Sequence, residues 1–413
     1  MTGFLAICML TAGYAMIAKR LETTILTAPM VFLGAGAVLS VTGMVDHATS
    51  ERLLHPLAEI TLVVLLFLDA AQVDLRALRQ RHVWPLRMLL IGLPLTIVFG
   101  SLAGFLLLSG WTPVAVILAA AILAPTDAAL GQAVVSNPKL PVRLRRALTV
   151  ESGLNDGLAL PAVLFFAGLT AATMQSSGAW VLFAAKQITL GPLAGAAIGA
   201  AGGWILLRAK KYSTTADIYE GVGALAMAGA AYLSATLIGG NGFIAAFVAG
   251  LFFGAMIKGA CKFVYEFTES EGQLLVWASF LLLGIALVPE AVAHLTWPMF
   301  GLILVSLFIV RPLAIWLSLA GTDAPFLTRL FFGWFGPRGL ATALFALLVI
   351  DEVPHALGET ILHLAVNTVW ISALLHGITA APLSNWYAGR IAVSDAPSSE
   401  VDRNAAPLPG DKA

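Results

Sequence analysis

Thirteen stretches of this chain stay apolar for about the length of a bilayer-crossing helix, and that repetition constrains the fold more than any other feature. A helix needs about 20 predominantly apolar residues to traverse the hydrocarbon core. The stretches run over 3–19, 24–44, 53–72, 84–108, 112–135, 147–171, 178–207, 217–238, 241–257, 274–295, 298–320, 327–350 and 358–388. Only 11% of the residues are charged, against about 25% in a soluble domain, so lipid must solvate most of the surface. The expected fold class is an all-α polytopic membrane protein. The expected localisation is multi-pass in a cell membrane, with the lipid bilayer as the first partner. Pro192, inside the seventh stretch, is an expected kink point.

Loop charges orient the spans. Basic residues gather in alternate connections: Lys19 and Arg20; Arg76, Arg79, Arg81 and Arg87; Lys139, Arg143, Arg145 and Arg146; Arg208, Lys210 and Lys211; Lys258 and Lys262; then Arg329 and Arg390. The other connections are nearly bare, Arg52 being the main exception. Positive-inside bias then puts the N-terminus outside and the C-terminus in the cytoplasm, and the alternation requires an odd number of spans. Met1 to Arg20 has its basic residues after the apolar run, so it reads as a retained first helix rather than a signal peptide. Residues 392–413 read as a disordered cytoplasmic tail. This topology puts Cys8 and Cys261 on opposite sides of the bilayer, which excludes a disulfide between them. With 23 basic and 23 acidic residues in balance, nucleic acid is not an expected partner.

Ionisable residues inside spans are costly and mark ion or proton pathways. The candidates are Glu59, Asp127, Glu151, Asp156, Lys186, Glu220, Glu290, Arg311 and Arg338. Lys186, Glu220 and Glu290 sit near helix ends, where snorkelling to the interface explains them. Glu59 is deeper and fits a structural hydrogen bond as well as a functional role. Asp127 follows Pro125 and Thr126, so a disrupted helix adjoins a mid-membrane acid. Broken backbone at that depth is tolerated where it is buried or lines an aqueous cavity. Glu151 with Asn155, and Ser152 with Asp156, are i,i+4 pairs that place four polar side chains on one side of a helix. Two acids so close must be neutralised, paired or occupied by an ion. Counted along their helices, Asp127 and Asp156 lie ~14 Å deep and Arg338 ~16 Å. Gly336-Pro337-Arg338-Gly339 interrupts the twelfth stretch as Pro125 interrupts the fifth. These two stretches run in opposite directions, the pointer to an inverted repeat with its site at the crossing.

These residues resemble the cation:proton antiporter superfamily, in its NhaP/NHE-type branch. The resemblance rests on Thr126-Asp127, Glu151-Ser152 with Asn155-Asp156, and Gly336-Pro337-Arg338-Gly339. Arg311-Pro312 and the run from Gly239 to Gly250 add to it, and the similarity covers about residues 5–390. It implies a thirteen-helix inverted-repeat fold with two crossed, unwound helices over residues 1–391. Core helices would be about 84–171 and 298–388, and dimerisation helices about 3–72 and 217–295. It further implies a homodimer, and Na+ or K+ held at Asp156, Asp127, Ser152 and the Thr126 carbonyl. Asp156 would be the main carrier of ion and proton, Glu151 would pair with Arg338, and Asn155 and Arg311 would give structural support. An Asn before the Asp is associated with electroneutral exchange. The departure here is that Ala128, not Pro, follows Asp127.

The function expected is therefore exchange of protons for a monovalent cation, Na+ first, through competition at a buried Asp. No cofactor is expected beyond the transported ions. Alternatives are a K+-selective antiporter, a cation channel of the same fold, and, more remotely, an intramembrane enzyme using His294, His363 or His376. No His-x-x-x-His or Glu-x-x-His spacing supports a metal site in that last reading. Asp351 and Glu352, at the outer end of the twelfth stretch, are expected to attract cations to the external mouth or simply to be solvated.

Overall fold

The computed structural model describes residues 2–21, 24–45, 47–73, 83–127, 130–172, 177–257 and 261–394. Arg76, Arg79, Arg81, Ala128, Lys258 and the tail beyond 394 lie outside the described residues. Every regular element among the described residues is helical. In chain order they are α1 (Thr2–Leu21), α2 (Ala28–Val41), α3 (His47–Gln72), α4 (Val83–Leu107), α5 (Pro113–Ile122), α6 (Gln132–Val135), α7 (Val142–Ala172) and α8 (Ser177–Lys211). There follow α9 (Asp217–Leu237), α10 (Gly242–Ile257), α11 (Lys262–Ala286), α12 (Val288–Ala293), α13 (Trp297–Ser318), α14 (Phe326–Trp334), α15 (Leu340–Val349) and α16 (His355–Ser394). Seven of the helices are long and apolar enough to cross a membrane unaided. The fifth and twelfth apolar stretches are each two half-helices around a break, α5 and α6, and α14 and α15. The seventh remains one helix through Pro192.

The helices pack in two sets. In the first, α11 lies along α2 and α3, and α10 lies between α3 and α8. Hydrophobic driving force is weak between helices in lipid, so close backbone approach matters more. A methyl group on Gly36 or Gly284 would collide with the facing backbone of α11 or α2, and one on Gly250 or Gly254 with the carbonyls of Phe67 and Ala71 in α3. Tyr14, Phe32 and Trp277 tie α1, α2 and α11 with ring centroids 5.0–5.3 Å apart. Cys8 and Cys261 are both free thiols. Cys261 is fully buried, and that burial pushes its thiol up to about 11, so it stays an unreactive packing residue.

The second set is built on the broken helices. α5 packs between α4 and α7, and α15 packs on α16 and α7. α4 and α13 touch each other, and each contains one π-helical segment, Met88–Gly92 and Ser306–Val310. Each segment is followed by a proline in the next turn, Pro94 and Pro312. Proline cannot donate to the preceding turn, and a π segment absorbs the resulting misfit. The same irregularity recurs in two helices of the opposed halves, as an inverted repeat requires. On one end of this set Asp323, in the α13–α14 connection, accepts both terminal nitrogens of Arg143 (2.5 and 3.0 Å) and Trp84 Nε1 (2.7 Å). The Arg143 guanidinium lies 3.7 Å from the Trp84 ring centre.

Candidate ion site at the helix crossing

α5 ends at Ile122 and the chain runs on without helix from Pro125 to Asp127. α14 ends at Trp334 and the chain runs on without helix from Phe335 to Gly339. These two breaks meet. The Asp127 backbone N–H donates to Pro337 O (2.8 Å), and Asp127 Oδ2 accepts the Leu340 N–H (2.8 Å). Arg338 is wholly buried and donates to the carbonyls of Ala124 and Pro125, the latter at 3.1 Å. Gly339 permits the approach, because a Cβ there would collide with the Asp127 carboxylate. From α16, Ser372 Oγ accepts the Arg338 N–H (2.7 Å) and His376 Nε2 meets Trp334 O (3.0 Å). His376 is thus a buried brace for the broken helix.

α7 presents its polar face to this crossing. Glu151, Ser152 and Asn155 are buried, as i,i+4 spacing led one to expect. The expected partner of Glu151 is overturned. Glu151 pairs with Arg311, whose two terminal nitrogens each donate to one carboxylate oxygen at 3.1 Å. Arg338 is instead committed to the carbonyls at the end of α5. Arg311 reaches Glu151 because it directly follows the π segment of α13 and passes over Gly336, where a Cβ would collide with the guanidinium. Thr126 Oγ1 donates to Glu151 Oε2 (3.3 Å) and accepts from Asn155 Nδ2. The Thr126 hydroxyl is therefore occupied by a structural network.

Asp156 differs from its neighbours. Its Oδ1 is buried and has no hydrogen-bond partner among the described residues. Glu151, Thr126, Asn155, Arg311 and Arg338 are buried, whereas Asp156 and Asp127 retain partial exposure. A third acid joins them. Asp69, near the C-terminal end of α3, packs beside Gly153, lies within electrostatic reach of both Asp127 and Asp156, and is likewise partly exposed. Sequence reasoning passed over Asp69 because it sits three residues from the end of its helix. Its neighbours carried the missing signal: an acid among Leu65 to Ala71 on a helix otherwise apolar at that level.

Other acids have separate fates. Glu59 accepts the Tyr232 hydroxyl, and both line a cavity of about 210 Å³ with His55, Leu62, Leu344 and Asp351. Asp351 and Glu352 are exposed, and Lys186 is exposed as expected of a helix-end charge. Glu220 does not snorkel. It is fully buried and held by Lys210 at 2.6 Å, because the basic end of α8 folds back over the start of α9.

A transmembrane sodium/hydrogen exchanger family model matches residues 5–386. The chain belongs to the sodium/hydrogen exchanger family. Among its relatives, the K(+)/H(+) antiporter NhaP of Alkalimonas amylolytica is 25% identical over 276 residues, 65% of this chain and 46% of that protein. The K(+)/H(+) antiporter NhaP2 of Shewanella sp. MR-4 is 27% identical over 388 residues, 89% of this chain and 64% of that protein. The Na(+)/H(+) antiporter 1 of Methanocaldococcus jannaschii is 26% identical over 294 residues, 66% of this chain and 67% of that protein. This exchanger-family chain thus spans about half to two thirds of the length of such relatives. The solved structure of the sodium proton antiporter MjNhaP1 from M. jannaschii at pH 8 has the same fold. It superposes with a TM-score of 0.74 at 22% identity, covering 94% of this chain and all of that one. Membership makes the chain a multi-pass integral membrane protein with the antiporter fold.

Proposed function

We propose that this exchanger-family chain is a secondary active antiporter that exchanges protons for a monovalent cation across a prokaryotic inner membrane. The observation that carries the reading is the inequality between Glu151 and Asp156. Two carboxylates stand on one helix face, Glu151 wholly buried and Asp156 with its Oδ1 buried, and Arg311 pairs with Glu151 alone. An uncompensated buried carboxylate must take up a proton or a cation. Asp156 is that group. Asp127, Ser152, the Thr126 carbonyl and Asp69 complete an all-oxygen surrounding suited to a hard cation.

Competition at Asp156 gives the coupling. Protonated or cation-loaded, the site is electrically satisfied and crosses between inward- and outward-facing states; as a bare anion it does not. The set containing α4–α7 and α13–α16 would be the mobile core, and α1–α3 with α9–α11 the frame. Na+ is the cation we favour, and the names of the NhaP relatives support K+ as the second reading. The Asn155-Asp156 order supports one-for-one, electroneutral exchange. The resemblance supports a homodimer, and α1, which leaves Phe4, Leu5, Met9, Met16 and Ile17 exposed, offers a second copy an apolar face. On this reading the chain is a transporter without enzymatic chemistry or cofactor.

The test is proton flux in proteoliposomes against Na+, K+ and Li+ in turn, with and without an imposed potential. Cation-driven proton movement insensitive to the potential is expected. Cation conduction without proton counter-movement would overturn the reading in favour of a channel.

A further inference from the structure

A second group of ligating side chains lies far from the crossing, on the face that the basic-residue pattern assigns to the outside. Glu290 lies on α12, His294 caps its C-terminus one turn later, and His363 comes from α16. One ligand atom from each falls within 4.8 Å of the others. His363 Nε2 is 3.7 Å from Glu290 Oε1, and the two imidazoles stack with centroids 4.7 Å apart. His294 Nδ1 meets Glu290 O at 2.9 Å. With Nδ1–H donating to that carbonyl, His294 Nε2 is the acceptor, the tautomer that metal-binding histidines adopt. The sequence contained no His–His or Glu–His spacing within one helix that joined His363 to this pair. Only the packing of α12 on α16 makes the set.

We propose that Glu290, His294 and His363 form a site for a divalent transition-metal ion of the zinc type, which holds α12 against α16 and slows exchange. Two imidazoles and one carboxylate are the donor set zinc accepts at sites that keep a fourth position for water. Metal–ligand bonds of about 2.0–2.1 Å put tetrahedral ligands roughly 3.4 Å apart. The 3.7 Å pair already approaches that spacing, and the three ligand atoms lie within 4.8 Å of one another. Glu290 and His294 are exposed, which leaves the ion an entry path. Glu359, one turn before His363, adds negative charge in reach of the same imidazole.

The location gives the site its consequence. α12 continues directly from α11, which packs on α2 and α3. α16 carries Ser372 and His376, which brace the broken helix at Arg338 and Trp334. A polar latch already joins the two elements, since Asn367 Nδ2 donates to Ala291 O (2.6 Å) and Trp370 Nε1 holds Asn367 Oδ1 (2.8 Å). A bound metal would make that latch hard to open. The inhibitory half of the proposal rests on the antiporter reading, and the binding half does not.

The experiment uses the purified full chain and Zn2+ alone. Equilibrium dialysis should give one Zn2+ per chain, and Co2+ in its place should show the visible absorption of a low-coordinate nitrogen and oxygen site. His294→Gln and His363→Gln should each weaken Zn2+ binding by more than about 10-fold, while thermal melts without metal match the parent. In proteoliposomes, Zn2+ added on the outer side should slow proton flux several-fold, a chelator should restore it, and the two variants should be insensitive. Equal Zn2+ affinity in parent and variants overturns the site. Binding without slowing overturns the clamp. Absence of flux in the metal-free parent would count against the antiporter reading while leaving the dialysis result to decide the site.

Discussion

Asp127 and Arg338 each terminate the half-helix that the other's segment interrupts. Asp127 Oδ2 accepts the first N–H of α15, and Arg338 donates to the last carbonyls beyond α5. Both placements complement the helix dipoles, a negative charge at an N-terminus and a positive one at a C-terminus. The crossing is therefore held by charges of the opposite strand rather than by its own side chains. Asp156, partly exposed beside the crossing, has no such partner for its Oδ1 among the described residues.

Asp156→Asn is expected to abolish cation-coupled proton flux while leaving the melting temperature near or above that of the parent. Removing an unanswered buried charge relieves desolvation cost. Proteoliposome flux measured beside a thermal melt checks this, and full activity in the variant would sink the carrier role.

Arg311→Ala should destabilise the chain by about 3–5 kcal/mol, because Glu151 would be left as an unpaired buried charge. Pairing the change with Glu151→Gln should recover most of that loss. Arg338→Ala should respond differently: its loss exposes carbonyls, so Glu151→Gln should not rescue it. A double-mutant cycle in detergent melts separates the two arginines, and coupling of Glu151 to Arg338 alone would contradict the pairing described here.

Gly339→Ala is expected to lower flux strongly by pushing the Asp127 carboxylate off the α15 N-terminus. The lost cap and displaced backbone together should cost about 1–3 kcal/mol. Gly389→Ala, where a Cβ meets nothing, serves as the control. Equal flux in the two variants would refute the docking role of Gly339.

Asp69→Asn should raise the cation concentration needed for half-maximal flux more than it lowers the maximal rate. On the proposed reading Asp69, partly exposed near the C-terminal end of α3, helps hold the cation that competes with the proton at Asp156. A rate loss with unchanged half-saturation would reject that role.

Arg143 holds the Asp323 carboxyl below its usual value, chiefly by direct hydrogen bonding. A depressed folded-state value means the contribution is present above the ordinary carboxylate pKa of 3.8 and is lost as pH falls through the lower folded value. Asp323→Asn should therefore lower stability at neutral pH by at most about 1 kcal/mol, since both groups are solvent-accessible. The difference from the parent should vanish in strong acid. A stability difference that grew on acidification would have the wrong sign.

Much of this arrangement was legible before any coordinates. Pro125 and Pro337 marked the breaks, and the i,i+4 spacing put Glu151, Ser152, Asn155 and Asp156 on one face. Depth counting put Asp127, Asp156 and Arg338 on one level. Level is not azimuth, however, and that is why the partner of Glu151 was misassigned: two arginines sat at usable depth, and the direction of Arg311 depends on a π segment that hydropathy does not register. Asp69 was missed for a related reason, since distance from a helix end says nothing of which neighbours tilt over it. The Glu290–His294–His363 group was out of reach because only the docking of α12 on α16 brings His363 to the Glu290–His294 pair.

The π segment before Arg311 also limits how the chain can change. It holds one residue more than the α-helical turn it replaces. Deleting any one residue of Ser306–Val310 would restore a regular helix, leave the apolar run long enough to span, and so pass every test of hydrophobicity. Yet Arg311 leaves the helix directly after the widened turn, so narrowing that turn is expected to draw its guanidinium off the Glu151 carboxylate. Length variation in this helix should thus be read as loss of the ion pair, even where each residue of the pair is still present.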